Sequence, residues 1–462
     1  MTDSILIVGG GVAGLHAAME CANAGARVHL VEEGPVVGGK LAAAMIKSSA
    51  IGDRAEGEGV PLLEALDKNE RIEILTLSNL DRVEGGPGNF DVAIRQRGRF
   101  VTDACTRCKL CHKVCPAVSA NEYDAGLTYR KAIYTPLPDT LPPEYTIDID
   151  SCLNTPPNYL PCQQCVEVCE DDAIHFDLPV ETLLERHVGA IILAPGFQVE
   201  DGASHADLGY GSHADIVTSA ELQRLLESPG PTGGYASKLS NEDYPDSILF
   251  VMDNPSQFAL YIVASQVHQL LEQDVGKVVL LVLSKMVDEK DHAEARQIAD
   301  RLRIEVCPGT MFEIDTDEDD CLAVSYQNLS TQQYVRDTYD VVVLCSDVGP
   351  SEGLPELARL AEVELHQNGY IALPDADASD ATTTRPGIFV AGCGSGPKNI
   401  KDSLATARAA ASGALASLDQ RLLREDTQAA PSETGADAVT PESQEETRVL
   451  IEKMLYSLLE RR

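Results

Sequence analysis

The sequence is poor in basic residues: 36 Lys and Arg stand against 73 Asp and Glu, a formal net charge of −37. That balance repels nucleic acid and anionic lipid surfaces, so neither is an expected partner, and it favours basic proteins or a salty medium. No apolar run approaches the roughly 18 residues needed to span a bilayer. The opening Met-Thr-Asp-Ser carries no basic residue ahead of its apolar stretch. Membrane insertion and secretion are therefore not expected, and the cytoplasm is the expected location. What the chain does have is length, 462 residues with 44% hydrophobic content, enough for several domains with real cores.

The chain opens on a βαβ pattern. Ser4 to Val8 is a short β-branched apolar run, Ala13 to Ala24 has helical composition, and Arg27 to Val31 reads as a second strand. Between the first strand and the helix lies Gly9-Gly10-Gly11-Val12-Ala13-Gly14, which satisfies G-x-G-x-x-G. In that pattern Gly9 allows the tight turn, Gly11 lets the backbone approach a pyrophosphate, and Gly14 lets helix and strand pack closely. The phosphates then sit on free amides at the positive end of the helix. Glu32, at the end of the second strand, can accept hydrogen bonds from a ribose and would repel a 2′-phosphate. Gly38-Gly39 suits a second close backbone approach. A second strand and helix alternation runs from Ser247 through Leu302, but Phe250-Val-Met-Asp-Asn-Pro255 stands where a glycine motif would be, and Asp253 would repel a pyrophosphate. Gly189 to Gly196 reads as a buried strand ending in a turn, and buried-strand patterns recur at Asp340 to Leu344 and Gly387 to Ala391.

Eight of the thirteen cysteines fall between Cys105 and Cys169. Cys105-x-x-Cys108-x-x-Cys111-x-x-x-Cys115-Pro116 is the bacterial ferredoxin run, and soft thiolates at these spacings suit the iron of a cubane cluster. Cys152, then Cys162-x-x-Cys165-x-x-x-Cys169, repeats the grammar with extra residues after its first member. A pair of zinc sites is the alternative, but structural zinc favours two C-x-x-C knuckles per site. By analogy with two-cluster ferredoxins the fourth cysteine of each run crosses over. One [4Fe-4S] cluster would then take Cys105, Cys108, Cys111 and Cys169, the other Cys115, Cys152, Cys162 and Cys165. The acidic neighbours Glu167, Glu170, Asp171 and Asp172 are expected to lower the potential of the second cluster. The other cysteines, Cys21, Cys307, Cys321, Cys345 and Cys393, read as small buried hydrophobes. No C-x-x-C lies outside the two runs, so a self-contained dithiol reductase is not expected.

Four segments together resemble the A-type subunit of heterodisulfide reductase and its bacterial relatives: Ile5 to Lys40, Ala120 to Tyr134 between the cysteine runs, Tyr145 to Asp148, and Gly387-Ile-Phe-Val-Ala-Gly-Cys-Gly-Ser-Gly-Pro-Lys-Asn-Ile400. The resemblance implies an α/β fold, a two-dinucleotide-binding-domain, thioredoxin-reductase-like flavoprotein with an inserted two-cluster ferredoxin domain. Its expected parts are an FAD-binding domain in three pieces (1–100, 178–245 and 336–420), the ferredoxin-like insert (101–177), a degenerate nucleotide-binding-like domain (246–335), a disordered acidic linker (421–444) and a terminal amphipathic helix (445–462). It also implies FAD and two [4Fe-4S] clusters, with Gly392 and Gly394 reaching the flavin. Cys393 stands where such flavoproteins usually carry Asp, so the ribityl contact must come from elsewhere. Lys40 and Lys398 are candidates for a positive charge that stabilises reduced flavin. The implied role is electron transfer between flavin and clusters inside a heterodisulfide-reductase-like complex. The implied partners are the other subunits of that complex, a ferredoxin, or a subunit of a hydrogenase or dehydrogenase. The alternative is an autonomous NAD(P)H-dependent oxidoreductase of the glutamate synthase small-subunit type.

Overall fold

The computed structural model describes residues 3–39, 59–136, 140–155, 158, 160–200, 202–228, 230–252, 257–283, 305–316, 321–374, 381–398 and 400–418. Lys40, Asp253, the expected helix at 291–302, the linker and the terminal helix lie outside the described residues. The chain forms two compact units, one of Met1–Gln96, Thr182–Pro195 and Gly353–Arg462, the other of Arg97–Glu181 and Gly196–Glu352.

The first unit is built on β1 (Ser4–Val8), α1 (Val12–Asn23), β2 (Arg27–Val31) and β3 (Ile72–Leu75). These strands join Ala190–Leu193 and Ile388–Val390 in one parallel sheet, ordered 388–390, 190–193, β1, β2, β3. Ile5, Leu6, Ile7, Ile191 and Leu193 are fully buried, as strands covered on both faces require. Each such side chain contributes about 1.5–3 kcal/mol on leaving water. The helix Ile400–Ala416 packs on α1. Both bury alanines, Ala17 and Ala18 on one and Ala407, Ala410 and Ala411 on the other, and small side chains let the two helices approach closely. A smaller sheet, ordered 181–188, 89–97, 78–86, completes the unit.

The second unit carries a seven-stranded sheet in the order Ile216–Thr218, Val341–Leu344, Ser247–Met252, Lys277–Leu283, Glu305–Thr316, Leu322–Asn328, Gln333–Tyr339. Its first five strands pair in parallel, and the last two continue as an antiparallel meander. Here the chain departs from the expected boundaries. Ile216–Thr218 and Val341–Leu344 belong to this sheet, and of the expected second FAD-domain piece (178–245) only 182–195 joins the first unit. The reason is physical: short strands that are apolar on both faces suit the middle of either parallel sheet, and their pattern does not say which.

The same unit contains the cysteine-rich segment. Short helices Leu110–Val114 and Gln164–Glu167 and two small hairpins surround a core of Phe100, Ile133, Tyr145, Ile147 and Ile174. Arg224 fastens this segment to the helix Ser219–Leu225. Its guanidinium donates to Asp124 at 2.7 Å and to Glu227, and Arg224 and Glu227 are both buried.

Candidate functional site

The glycines of the first unit converge at the C-terminal end of β1. Gly9 has φ +109°, and a Cβ there would lie 2.0 Å from the Ala194 carbonyl oxygen. A Cβ on Gly14 would lie 1.8 Å from the Gly9 oxygen. The turn is therefore closed to larger residues on both sides. Gly11 is different, because a Cβ there would meet nothing within 4 Å. It faces open space at the N-cap of α1, whose first turn has neither a capping side chain nor an acidic residue. Those amides are left for an anion, which is the chemistry a pyrophosphate needs.

Other elements close around the same point. The Gly38 amide donates to the Gly10 oxygen at 2.7 Å, and a Cβ on Gly39 would come within 3.0 Å of the Gly11 Cα. Gly392, with φ +62°, lies against Ala13, and its amide donates to Thr406 Oγ1 at 2.9 Å. Gly394 packs on Val390 and Pro195. Glu32 is half-buried, and its carboxylate accepts the Gly10 and Gly34 amides at 2.7 and 2.8 Å. Burial pushes its carboxyl up, against the pull of those two bonds. Two amides use only part of a carboxylate's acceptor capacity, so ribose hydroxyls can still be held. Lys398 Nζ donates to Ser395 Oγ at 2.9 Å in the same turn, where buried Cys393 directs Sγ to the Lys398 carbonyl at 3.5 Å. The residues present thus fit a dinucleotide cofactor. Ala194 and Pro195 belong to this site as well. The strand-to-turn pattern at 189–196 was their signal, but a turn alone does not announce a ligand.

In the second unit the eight clustered cysteines fall into two sets of four. Cys105, Cys108, Cys111 and Cys169 line one cavity with Thr106, Arg107, Lys109, Tyr145 and Asp171. Cys115, Cys152, Cys162 and Cys165 line another with Pro116, Leu153, Gln164 and Phe176. Each encloses about 340 Å³, counting its mouth, and Ile133 borders both. Asp171 therefore lies on the first cavity, not beside the second as its place in the second run suggested.

No three His, Cys, Asp or Glu side chains among the described residues converge tightly enough to hold one metal ion. A zinc site needs that convergence, with thiolates about 2.3 Å from a common centre. A cubane needs four thiols spread around a cavity, one for each iron. Burial pushes the Cys111 thiol up to about 11 and the Cys165 thiol up to about 12, with neighbouring thiols adding to both. Four thiolates in such a place require a cationic core to hold their charge. Of the scattered cysteines, Cys21, Cys307, Cys345 and Cys393 are buried, and Cys321 is partly exposed.

Residues 4–72, which contain the glycine turn, match the family model described as FAD dependent oxidoreductase. The A-type iron-sulfur subunit of CoB–CoM heterodisulfide reductase from Methanocaldococcus jannaschii is 31% identical over 88% of this chain and 63% of its own length. An Archaeoglobus profundus protein named for its likeness to the A-type subunit of heterodisulfide reductase is 30% identical over 90% of this chain and 66% of its own. For the A-type subunit of the H2:CoB–CoM heterodisulfide,ferredoxin reductase of Methanothermobacter thermautotrophicus the figures are 28%, 89% and 63%. Over most of its length the chain is similar to heterodisulfide reductase A-type subunits and proteins like them, and it spans a little under two thirds of the length of these relatives. Among solved structures, thioredoxin reductase of T. acidophilum matches with a TM-score of 0.46 at 15% identity, covering 89% of this chain and 97% of that one. No helix among the described residues is long and apolar enough to cross a membrane.

Proposed function

We propose that the chain is an FAD- and iron–sulfur-dependent electron-transfer subunit of a heterodisulfide-reductase-like assembly. It would bind FAD at the glycine turn and one [4Fe-4S] cluster in each cysteine cavity. The observation that carries this reading is the sorting of eight cysteines into two separate sets of four. When bound, the flavin exchanges electrons in pairs and the clusters exchange them singly. The α1 amides would hold the pyrophosphate, Glu32 the ribose, and Gly392 and Gly394 would give backbone access to the rest of the cofactor. Lys398 supplies a positive charge in the same turn. Partners would be the other subunits of such an assembly, in the cytoplasm. Electrons would be exchanged with a ferredoxin or with a subunit of a hydrogenase or dehydrogenase.

Anaerobic purification with iron, sulfide and flavin quantitation tests the reading. About eight irons and one FAD per chain, with no bleaching by NADH or NADPH, are expected. An iron content of zero, or one zinc per four cysteines, would sink it. The second unit's five-stranded parallel core favours one other reading, an autonomous NAD(P)H-dependent oxidoreductase, and rapid bleaching of the flavin by NADPH would promote it.

A further inference from the structure

The two cysteine cavities differ in what borders them. The first has Arg107, Lys109, Asp171, Thr106 and Tyr145 among its lining residues. Among the described residues the second is lined by no charged residue, and Gln164 is its sole polar side chain besides the thiols. Backbone conformation follows the same division. Arg107, Lys109 and Asp172 have φ of 59°, 67° and 49°, and all three lie within two positions of Cys108 or three of Cys169, which line the first cavity. Left-handed residues in such runs turn backbone amides into a concavity that favours negative charge, and non-glycine residues are held there only at a cost in strain. No described residue that lines the second cavity has positive φ. Exposure differs too: Cys108 is exposed, whereas no member of the second set is.

Resting on the cluster reading above, we propose that the first cavity is the terminal one-electron station of the chain, set at the higher potential by Arg107 and Lys109 and by the left-handed turns that carry them. Adding an electron to a cluster adds negative charge without breaking a bond or moving a proton. Cations, inward amides and water stabilise that charge, and an apolar wall does not. One electron delivered to the loaded chain by dithionite therefore rests in the first cavity. There the exposed edge at Cys108 puts it within reach of an external carrier, while Ile133, shared by the two walls, leaves a short path from the second.

The test is an EPR-monitored redox titration of the anaerobically purified full-length chain. Two separate waves are expected. The double variant Arg107→Ala/Lys109→Ala should move the upper wave to more negative potential and leave the lower one in place, and Arg107→Lys should restore most of that shift. Gln164→Lys should raise the lower wave alone. Coincident waves, or an Arg107 and Lys109 variant that moves only the lower wave or neither, would overturn the assignment while leaving the cluster reading intact. A chain without iron and sulfide would overturn both.

Discussion

The main sheets of the two units share a parallel core and differ in the turns around it. In the first, Ser4–Val8 has the next two strands on one side and 190–193 and 388–390 on the other; in the second, Ser247–Met252 has the strands that follow it on one side and 341–344 and 216–218 on the other. In the first unit the chain leaves the smaller sheet after 89–97 and returns at 181–188, with the cysteine segment between. In the second the corresponding turn is only 329–332. The decisive contrast lies just past Ser4–Val8 in the one and Ser247–Met252 in the other. Val8 is followed by three glycines, Met252 by Asp253, Asn254 and Pro255. Counted along the sequence from the strand end, Pro255 falls where Gly11 does, and a proline has no amide to offer a phosphate, while the charge of Asp253 would repel one. Buried apolar strands thus specify the sheet, whereas a few residues at a strand end specify whether it binds a nucleotide.

Closing the first turn should have the largest effect. Gly14→Val drives side-chain atoms into the Gly9 carbonyl, which should cost about 3 kcal/mol or more and reduce flavin content at least ~10-fold. Flavin absorbance and thermal melting of the purified variant measure both, and full flavin retention would remove the contrast between the sheets. Next in size is Arg224→Ala in the second unit. It strands the Asp124 and Glu227 carboxylates in a mostly buried place, a loss of about 3 kcal/mol. By comparison Arg95→Ala in the first unit breaks an exposed pair with Asp81, worth less than about 1 kcal/mol. Urea denaturation of the two variants should show midpoints displaced by clearly different amounts, and equal displacements would deny the cysteine segment its buried anchor.

Much of this site was legible because its chemistry is local in sequence. Gly9, Gly11, Gly14 and Glu32 sit in one βαβ stretch with fixed spacing, and their meeting at one point follows from the geometry of that unit. The cysteine spacings likewise pointed to two sets of four. What could not be read was long-range. That Ala194 presses on Gly9, that Val341–Leu344 joins the second sheet, and that Asp171 faces the first cavity depend on partners far away in sequence. Periodicity records that a residue is buried, not against what. The Arg224 to Asp124 pair, 100 positions apart, gave no signal at all, since each residue alone looks like a surface charge.

The smaller effects refine the comparison. Asp148 accepts Ser151 at 2.6 Å and Arg130 at 3.0 Å. Burial raises its carboxyl, but these bonds outweigh it and hold it below the usual carboxylate range. A depressed folded value means its contribution is present above the unfolded value, near 3.8, and disappears as pH falls through the folded one. Asp148→Asn should therefore cost on the order of 1 kcal/mol at pH 7, with the two proteins converging in urea stability below about pH 3. A constant gap at all pH values would show that shape, not charge, is what the site uses.

Lys398 gives the smallest effect and the sharpest question about the glycine turn. Its ammonium is half-exposed and tied to Ser395, so water and salt screen most of its field. Lys398→Ala should then lower the potential of bound flavin by on the order of 20 mV, about 1 kcal/mol for a two-electron couple, while Lys398→Arg should leave it nearly in place. A spectroscopic redox titration of the purified flavoprotein reads that shift directly. An unchanged potential in the alanine variant, with flavin content intact, would mean that backbone amides alone stabilise the reduced cofactor and that Lys398 serves to hold the 392–395 turn through Ser395. The contrast with the second sheet would then rest on the glycine turn and not on the lysine.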